Sequence, residues 1–146
     1  MPSYVLDTNI LLRSVQPTHQ HHIVVQEALR VLLDGNERLA TTTQNMIEFR
    51  NASTRSVEAN GLGLSPVAAD LQLLRFESMY EILPEDDKIY LLWKQLVSRY
   101  AVIGRQVHDA RIAAAMQVHS ITNILTFNGS DFSRYAGIAA VDPASV

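Results

Sequence analysis

The sequence predicts an α/β fold: a single domain over residues 1–146, with a central five-stranded parallel sheet flanked by helices on both faces. Short apolar runs that end in turn-forming residues alternate with longer segments of helical periodicity, which is the pattern of a parallel sheet. The chain has 146 residues, of which 47% are hydrophobic and 18% charged, enough for one core but not for two ordinary domains. Neither an internal repeat nor a linker divides it.

Residues 4–12 are the stretch around which the predicted site is organised. An apolar run ends at Asp7, which is typical of a buried parallel strand, and Thr8 or Asn9 can cap a helix that starts near Ile10. Ligands bind at the carboxyl ends of strands in open parallel sheets, so Asp7 is a candidate site residue. The alternative is that Asp7 only caps the helix that follows it.

Four further strands and five further helices are predicted from apolar periodicity and from start and stop signals. The helices cover residues 19–33 and 43–57, two segments that start at Ser65–Pro66 and at Pro84, and residues 106–119; the strands cover residues 39–42, 81–83, 123–127 and 138–141. Ser65 is a good N-cap before a proline, and the acids after Pro84 suit the positive end of a helix dipole. The helix opened by Pro66 carries, along one line, Val67, Leu71, Leu74 and Ser78.

The composition of the chain indicates where the protein resides and which kinds of site it lacks. No apolar run approaches the roughly 18 residues of a membrane span, and residues 1–3 lack the basic start and long apolar region of a signal peptide. The absence of cysteine excludes disulfides, thiolate metal sites and cysteine nucleophiles. We therefore expect a cytoplasmic protein with no membrane partner. The net charge of −3 does not exclude nucleic acid, because ten of the twelve basic residues are Arg, which suits phosphate contacts.

Asp109 and Asp131 are two further candidate site residues. On a helix, Asp109 shares a face with apolar residues at offsets of three, four and seven, where a carboxylate needs a cation or several hydrogen bonds. Asp131 follows the fourth strand and a polar turn, as Asp7 follows the first strand. The simpler alternatives are helix capping for Asp109 and turn chemistry for Asp131, since Asn128–Gly129 is also a common hairpin signal.

Glu48 is the fourth acid, on the predicted helix 43–57, where a solvated glutamate is the ordinary alternative. In the predicted sheet, Asp7 and Asp131 leave adjacent strand ends, and the helices that carry Glu48 and Asp109 flank them. Four converging carboxylates cannot all ionise near pH 7 without countercharge, and hard oxygen ligands suit Mg²⁺ or Mn²⁺. Such a site activates water and offsets charge on a phosphodiester. The pattern therefore predicts metal-dependent phosphodiester hydrolysis.

Four segments resemble the acidic motifs of PIN-domain nucleases in their order and separations, over nearly the whole chain. They are Val5-Leu-Asp7-Thr-Asn9, Asn45-Met-Ile-Glu48-Phe49, His108-Asp109-Ala-Arg-Ile-Ala-Ala114 and Leu125-Thr-Phe-Asn128-Gly-Ser-Asp131-Phe132. The last two are fairly specific together, whereas any one alone is weak. Among PIN domains, a compact single-domain chain of this size is most similar to the VapC-type toxins of bacterial or archaeal toxin–antitoxin pairs.

The resemblance implies a PIN-like domain that cleaves RNA with Mg²⁺ or Mn²⁺, forms a homodimer and is inhibited by a cognate antitoxin. The residues implied as metal ligands and catalytic groups are Asp7, Glu48, Asp109 and Asp131; those implied to contact these ligands or the substrate are Thr8, Asn9 and Asn128. Asp7 and Asp109 would be the main ligands, Glu48 would support metal and water, and Asp131 would complete the site. One departure is Arg50, which stands where related sequences often carry an aromatic residue.

Other enzyme classes fit less well. A haloacid-dehalogenase-like phosphatase has a second acid two residues after the first, but here that residue is Asn9, which cannot transfer the proton. A dinucleotide site fails because Pro66 stands where a third glycine belongs after Gly61–Gly63. The three histidines at residues 19–22 are explained by a solvated helix start rather than by a metal site. The serious alternative is a PIN-like fold that binds RNA or a protein without cutting RNA.

Overall fold

Five parallel strands form one sheet, as the sequence predicts. A computed structural model of the chain describes residues 3–146. Met1 and Pro2 lie outside the described residues, although the predicted domain and the segment compared with a signal peptide both include them. The strands in chain order are β1 (Ser3–Leu6), β2 (Arg38–Thr42), β3 (Glu81–Leu83), β4 (Asn123–Leu125) and β5 (Ala139–Val141). They are arranged in the order β3-β2-β1-β4-β5, and every neighbouring pair is parallel. The predicted fold class is confirmed.

Helices cover both faces of the sheet. They are α1 (Thr8–Ser14), α2 (His22–Asp34), α3 (Thr43–Thr54), α4 (Pro66–Met79), α5 (Asp87–Arg99) and α6 (Gln106–Val118). Successive side chains of a strand point to opposite faces, so Leu6 enters the core formed with α1 to α4, whereas Val5 packs with α6. On that second face α5 packs against α6. Across residues 3–146, no helix combines the length and the apolar character that crossing a membrane requires.

The helix after β1 begins two residues earlier than predicted, and Asp7 itself caps it. Asp7 Oδ1 accepts a hydrogen bond from the backbone N–H of Thr8 at 2.8 Å, so the prediction that Thr8 or Asn9 caps this helix is wrong. Capping by Asp7 is therefore present, as the alternative held, but it is not the only contact of this side chain. It leaves the second carboxylate oxygen of Asp7 available for other contacts.

The segment before α2 forms a turn instead of a helix, so α2 begins at His22 rather than at residue 19. The cause is a hydrogen bond from the backbone N–H of His21 to His19 Nδ1 at 3.0 Å. The predicted solvated helix start is also wrong in detail, because all three histidines are half-buried. The His21 ring stacks on the Phe127 ring, with 4.6 Å between their centroids.

The end of α3, at Thr54 rather than residue 57, is set by the loop that follows it. Backbone N–H groups of the returning loop donate to carbonyl oxygens at the end of α3: Leu62 to Ala52, Gly63 to Arg55 and Leu64 to Ser53. The loop lies so close that a Cβ at Gly61 would stand 2.2 Å from the Arg55 carbonyl oxygen. Only glycine fits at that position without a shift of the backbone.

The apolar line of α4 faces outward. Val67, Leu71 and Leu74 are exposed, while the buried residues of this helix are Ala69 and Phe76. Phe76 anchors the helix by packing edge-on against a phenylalanine of α3, and beside it Arg50 of α3 forms an ion pair with Asp70 of α4. Arg50, which stands where related sequences often carry an aromatic residue, therefore connects α3 to α4.

Truncation of the Phe49 side chain should lower the stability of this face of the protein strongly. Its side chain is fully buried and meets Phe76 edge-on, with 4.9 Å between ring centroids. We expect Phe49→Ala to lower the free energy of unfolding by about 3–5 kcal/mol, because it leaves a cavity in the core. Ile47→Ala, at an exposed position of the same helix, should change it by less than about 0.5 kcal/mol. Urea denaturation measures both, and equal losses would contradict this packing.

Candidate active site

The four predicted acids all stand at the carboxyl edge of the sheet. Asp7 follows β1, and Asp131 lies in a short 3-10 turn after β4, the strand next to β1. Glu48 lies in the middle of α3, and Asp109 lies in the first turn of α6. Because β4 and β5 run parallel, the hairpin alternative for Asn128–Gly129 is wrong. The topology therefore brings to one edge acids that are up to 124 residues apart in the chain.

An open pocket of about 780 Å³ lies over this edge. Its acidic wall includes Glu48, Asp109 and Asp131, beside the exposed Asn128. Residues of α3, of the β3 end and of the start of α6 complete the lining: Thr43, Gln44, Ile47, Asn51, Glu85, Arg105, Gln106, His108 and Arg111. Asp7 is only 7% exposed and does not line the pocket wall.

The buried Asp7 carboxylate is held by hydrogen bonds from two other elements. Thr126 Oγ1, directly after β4, donates to Asp7 Oδ2 at 2.7 Å. Asn45 Nδ2 of α3 donates to Asp7 Oδ1 at 3.3 Å and to Thr8 Oγ1 at 3.0 Å. Asn45 is itself fixed, because its Oδ1 accepts a hydrogen bond from Thr42 Oγ1 at 2.6 Å. Hydrogen bonds of this kind satisfy a carboxylate that burial removes from water.

Thr126 and Asn45 were not assigned a role from the sequence, although both stand inside the acidic motifs. Both are fully or almost fully buried polar residues, at a strand end and in a first helical turn, and burial of such groups requires partners. A polar residue in an apolar strand end was the available signal. Its partner was not predictable, because the contacts span 38 and 119 residues of chain.

Glu48 is oriented through both of its carboxylate oxygens. Thr8 Oγ1 donates to Oε2 at 3.2 Å, and Gln44 Nε2 donates to Oε1 at 2.9 Å. The same Gln44 nitrogen donates to the backbone carbonyl of His108 at 2.8 Å, so it bridges α3 and α6. Gln44, another residue that sequence reasoning missed, thus connects the Glu48 carboxylate to the helix that carries Asp109.

Asn9 and Asn128, predicted to contact ligands or substrate, occupy different environments. Asn9 Nδ2 donates to Thr126 Oγ1 at 3.4 Å, and its Oδ1 accepts from the Phe127 N–H at 3.4 Å. β4 ends at Leu125, two residues earlier than predicted. Beyond it, the Thr126 N–H still donates to the Val141 carbonyl of β5 at 3.0 Å, and the Asn9 side chain holds Thr126 and Phe127. Asn9 therefore supports Thr126, whereas the side chain of Asn128 lies at the pocket surface.

Burial and mutual repulsion act on the protonation of two of the acids. Burial raises the pKa of Asp7, against the hydrogen bonds from Thr126 and Thr8 that favour its charged form. Burial, with the negative charges of Asp7, Asp131 and Glu48, raises the pKa of Asp109 to about 7, while the positive charge of Arg134 opposes the shift. All four acids are therefore close enough to repel one another.

The donor chemistry of the pocket fits a hard divalent cation. Carboxylate oxygens are the ligands that Mg²⁺ and Mn²⁺ prefer, and a cation would relieve the repulsion that raises the pKa of Asp109. As positioned, however, no three His, Asp or Glu side chains within residues 3–146 are grouped closely enough to hold an ion. Ion binding would therefore require movement of these side chains.

Comparisons with known proteins agree with this architecture. A family model described as the PIN domain matches residues 4–138, whereas no curated protein sequence matches. Similar solved structures include VapBC2 from Rickettsia felis bound to a promoter DNA fragment, with 18% identity, 96% of this chain and 98% of that chain covered, and a TM-score of 0.71. DNA-bound VapBC from Salmonella typhimurium matches with 20% identity, coverage of 98% and 99%, and a TM-score of 0.71. VapC20 from Mycobacterium tuberculosis, a sarcin-ricin loop cleaving toxin, matches with 16% identity, coverage of 93% and 98%, and a TM-score of 0.64.

The burial of Asp109 and its repulsion by the other acids predict a pH-dependent stability. The folded state raises the pKa of Asp109 from 3.8 to about 7, so it binds this proton more tightly than the unfolded chain does. Stability without divalent metal should therefore fall as pH rises from about 4 to about 7. Asp109→Asn should reduce this fall and raise Tm at pH 7.5 in EDTA by roughly 2–4 °C, after a discount for solvent screening.

Differential scanning calorimetry in EDTA across this pH range measures the effect. Glu77→Gln removes an exposed carboxylate on α4, outside the pocket, and is the matched control; it should leave the pH profile unchanged. Identical profiles for wild type and Asp109→Asn would contradict the raised pKa of Asp109.

Proposed function

The chain belongs to the PIN-domain family, and on that premise we propose that it is an endoribonuclease that hydrolyses RNA phosphodiester bonds with Mg²⁺ or Mn²⁺ as cofactor. One observation carries the proposal: four carboxylates stand at the carboxyl edge of the sheet, where burial and the negative charges of the other three raise the pKa of Asp109 to about 7. Buried carboxylates that repel one another lower the stability of the folded protein, and such groups are expected where binding of a ligand compensates for that loss.

In this proposal the metal ligands are Asp7, Asp109, Glu48 and Asp131. A bound divalent ion activates water and offsets negative charge on the phosphodiester. Thr126 and Asn45 hold Asp7 in place, and Gln44 and Thr8 hold Glu48, so the acids are oriented by outer hydrogen bonds as metal ligands usually are. Asn128, at the pocket surface, is placed to contact the RNA strand, whereas Thr8 and Asn9 act through the acids.

We further propose that the protein is the toxin of a type II toxin–antitoxin pair, with a cognate antitoxin as its inhibitor and a homodimer as its assembly. Support comes from solved structures of VapBC complexes that match nearly the full length of this chain. Support for RNA as the substrate comes from the structurally similar toxin described as cleaving the sarcin-ricin loop. The cytoplasmic location stays a prediction from composition.

The rival proposal is a PIN-like module that binds RNA or a protein without turnover. The presence of all four acids favours the enzyme, because a binding module gains nothing from a costly acidic pocket that repels RNA. The two functions differ in one observable. A nuclease shortens RNA when Mg²⁺ is present, whereas a binding module only shifts its mobility on a gel.

Asp7→Asn should abolish RNA cleavage. It removes a proposed metal ligand at a buried position, so the rate should fall by more than the roughly 100-fold that loss of an outer hydrogen-bond partner of a metal ligand costs. Cleavage of mixed cellular RNA with Mg²⁺, followed on denaturing gels, measures it, and EDTA should have the same effect as the substitution. Glu77→Gln should cleave like wild type. Identical products from wild type, wild type with EDTA and Asp7→Asn would refute the nuclease proposal.

Induced expression of the chain alone should arrest bacterial growth, since unrestrained RNA cleavage stops translation. Growth curves with the wild-type chain and with Asp7→Asn measure this, and only the wild type should arrest growth. Co-expression of the protein encoded by the neighbouring reading frame should restore growth by occupying the toxin. Growth unaffected by the wild-type chain at a verified expression level would contradict the toxin proposal.

A further inference from the structure

Three arginines stand near the acidic wall, but their side chains differ in what they already bind. Arg111 Nη2 forms an ion pair with Glu85 Oε2 at 2.7 Å, and Arg134 Nη2 donates to Gln106 Oε1 at 2.6 Å. Arg105 lines the pocket and is exposed. Within the part of the chain that the structure describes, no ion pair or hydrogen bond engages its guanidinium group.

The backbone fixes the point from which the Arg105 side chain projects. Gly104, with a φ of +62°, turns the chain into α6, and Arg105 is the last residue before that helix. The Arg105 carbonyl accepts the His108 N–H at 3.2 Å, which ties this residue to the first turn of α6. Asp109 lies on the next residue of that turn, yet it forms no ion pair with Arg105 within residues 3–146. Of the arginines that line the pocket within residues 3–146, Arg105 is therefore the one without an acidic partner.

An acidic pocket presents an electrostatic difficulty for a polyanionic substrate. A metal ion offsets the carboxylates at the point of cleavage, but the phosphates on either side of the scissile bond still approach a negative wall. A guanidinium group binds such a phosphate through two parallel hydrogen bonds, with charge assistance. Of the two arginines that line the pocket, Arg111 is paired with Glu85, whereas the donors of Arg105 have no partner within residues 3–146 and are available for that contact.

We infer that Arg105 binds a backbone phosphate that flanks the scissile bond, and that it thereby positions single-stranded RNA across the acidic pocket. This inference rests on the proposed ribonuclease function. It assigns Arg105 a part in substrate binding and not in the chemical step, because within residues 3–146 its side chain forms no ion pair with the acids. The contact is to a phosphate, so it carries no base specificity.

The test measures binding of a short single-stranded RNA oligonucleotide by fluorescence anisotropy, with Mg²⁺ present. The Asp7→Asn chain is the parent, because it should leave the RNA uncut while its substitution is buried below the pocket wall. Adding Arg105→Gln to this parent should raise Kd about 5- to 10-fold near 0.1 M salt. It should also reduce the slope of log Kd against log salt concentration by about 0.7, which is the value expected for the loss of one phosphate contact to a single strand. Arg105→Lys should keep the slope and lose part of the affinity.

Arg99→Gln is the matched control. It removes the same charge from an exposed site, where the guanidinium lies over the Tyr100 ring outside the acidic pocket, and it should change Kd less than about 2-fold. In the otherwise wild-type enzyme, Arg105→Gln should raise KM and leave kcat within about 2-fold, which a folding defect would not do. Thermal melting confirms that each variant is folded.

The outcomes separate this inference from the proposed function. Unchanged Kd and salt slope in Arg105→Gln, with a parent that binds RNA, would overturn the inference and leave the ribonuclease proposal standing. A fall in kcat with unchanged Kd would also overturn it, because Arg105 would then act on the chemical step. A wild-type chain that neither binds nor cleaves RNA would overturn both.

Discussion

A buried carboxylate at the end of β1 is the constraint on which the site depends. Burial disfavours the charge of Asp7, and hydrogen bonds to its carboxylate offset part of that penalty. Thr126 supplies one from the end of β4, Asn45 supplies another from α3, and the Thr8 N–H supplies a third. The hydrogen bonds that satisfy the buried Asp7 carboxylate therefore also join the end of β1 to β4 and α3.

Neutral donors hold the acids without neutralising them. Thr8, Gln44 and Asn45 are uncharged, and they orient Glu48 and Asp7 through hydrogen bonds alone. The cations nearby are largely committed elsewhere, as with Arg111 and its partner Glu85. Orientation is thus separated from charge compensation, and the pocket keeps a net negative charge for a cation to offset. This division explains why the protein tolerates the repulsion rather than removing it with internal ion pairs.

The sequence predicted the sheet, the helices and the four acids, because alternation, strand ends and acidic motifs are local patterns. It did not predict that Thr126 and Gln44 orient those acids, since the polar groups they bind are fixed only when distant segments meet. The α4 helix illustrates the same limit. Periodicity shows that Val67, Leu71 and Leu74 share a line, but which line meets the core is decided by Phe76 packing on α3. The observed helix starts differ from the predicted ones where side chains such as Asp7 and His19 accept hydrogen bonds from backbone N–H groups.

The raised pKa of Asp109 would couple proton binding to the binding of a metal ion at this carboxylate. With a pKa of about 7, roughly half of the molecules carry a proton on this carboxyl in a neutral solution. An ion that binds there must displace that proton, so uptake of one cation is linked to release of another. Acidification of the surroundings would then weaken ion uptake, and recovery of the pH would restore it. If the proposed ion binds at Asp109, the fraction of protein that carries it would therefore depend on the pH of its surroundings.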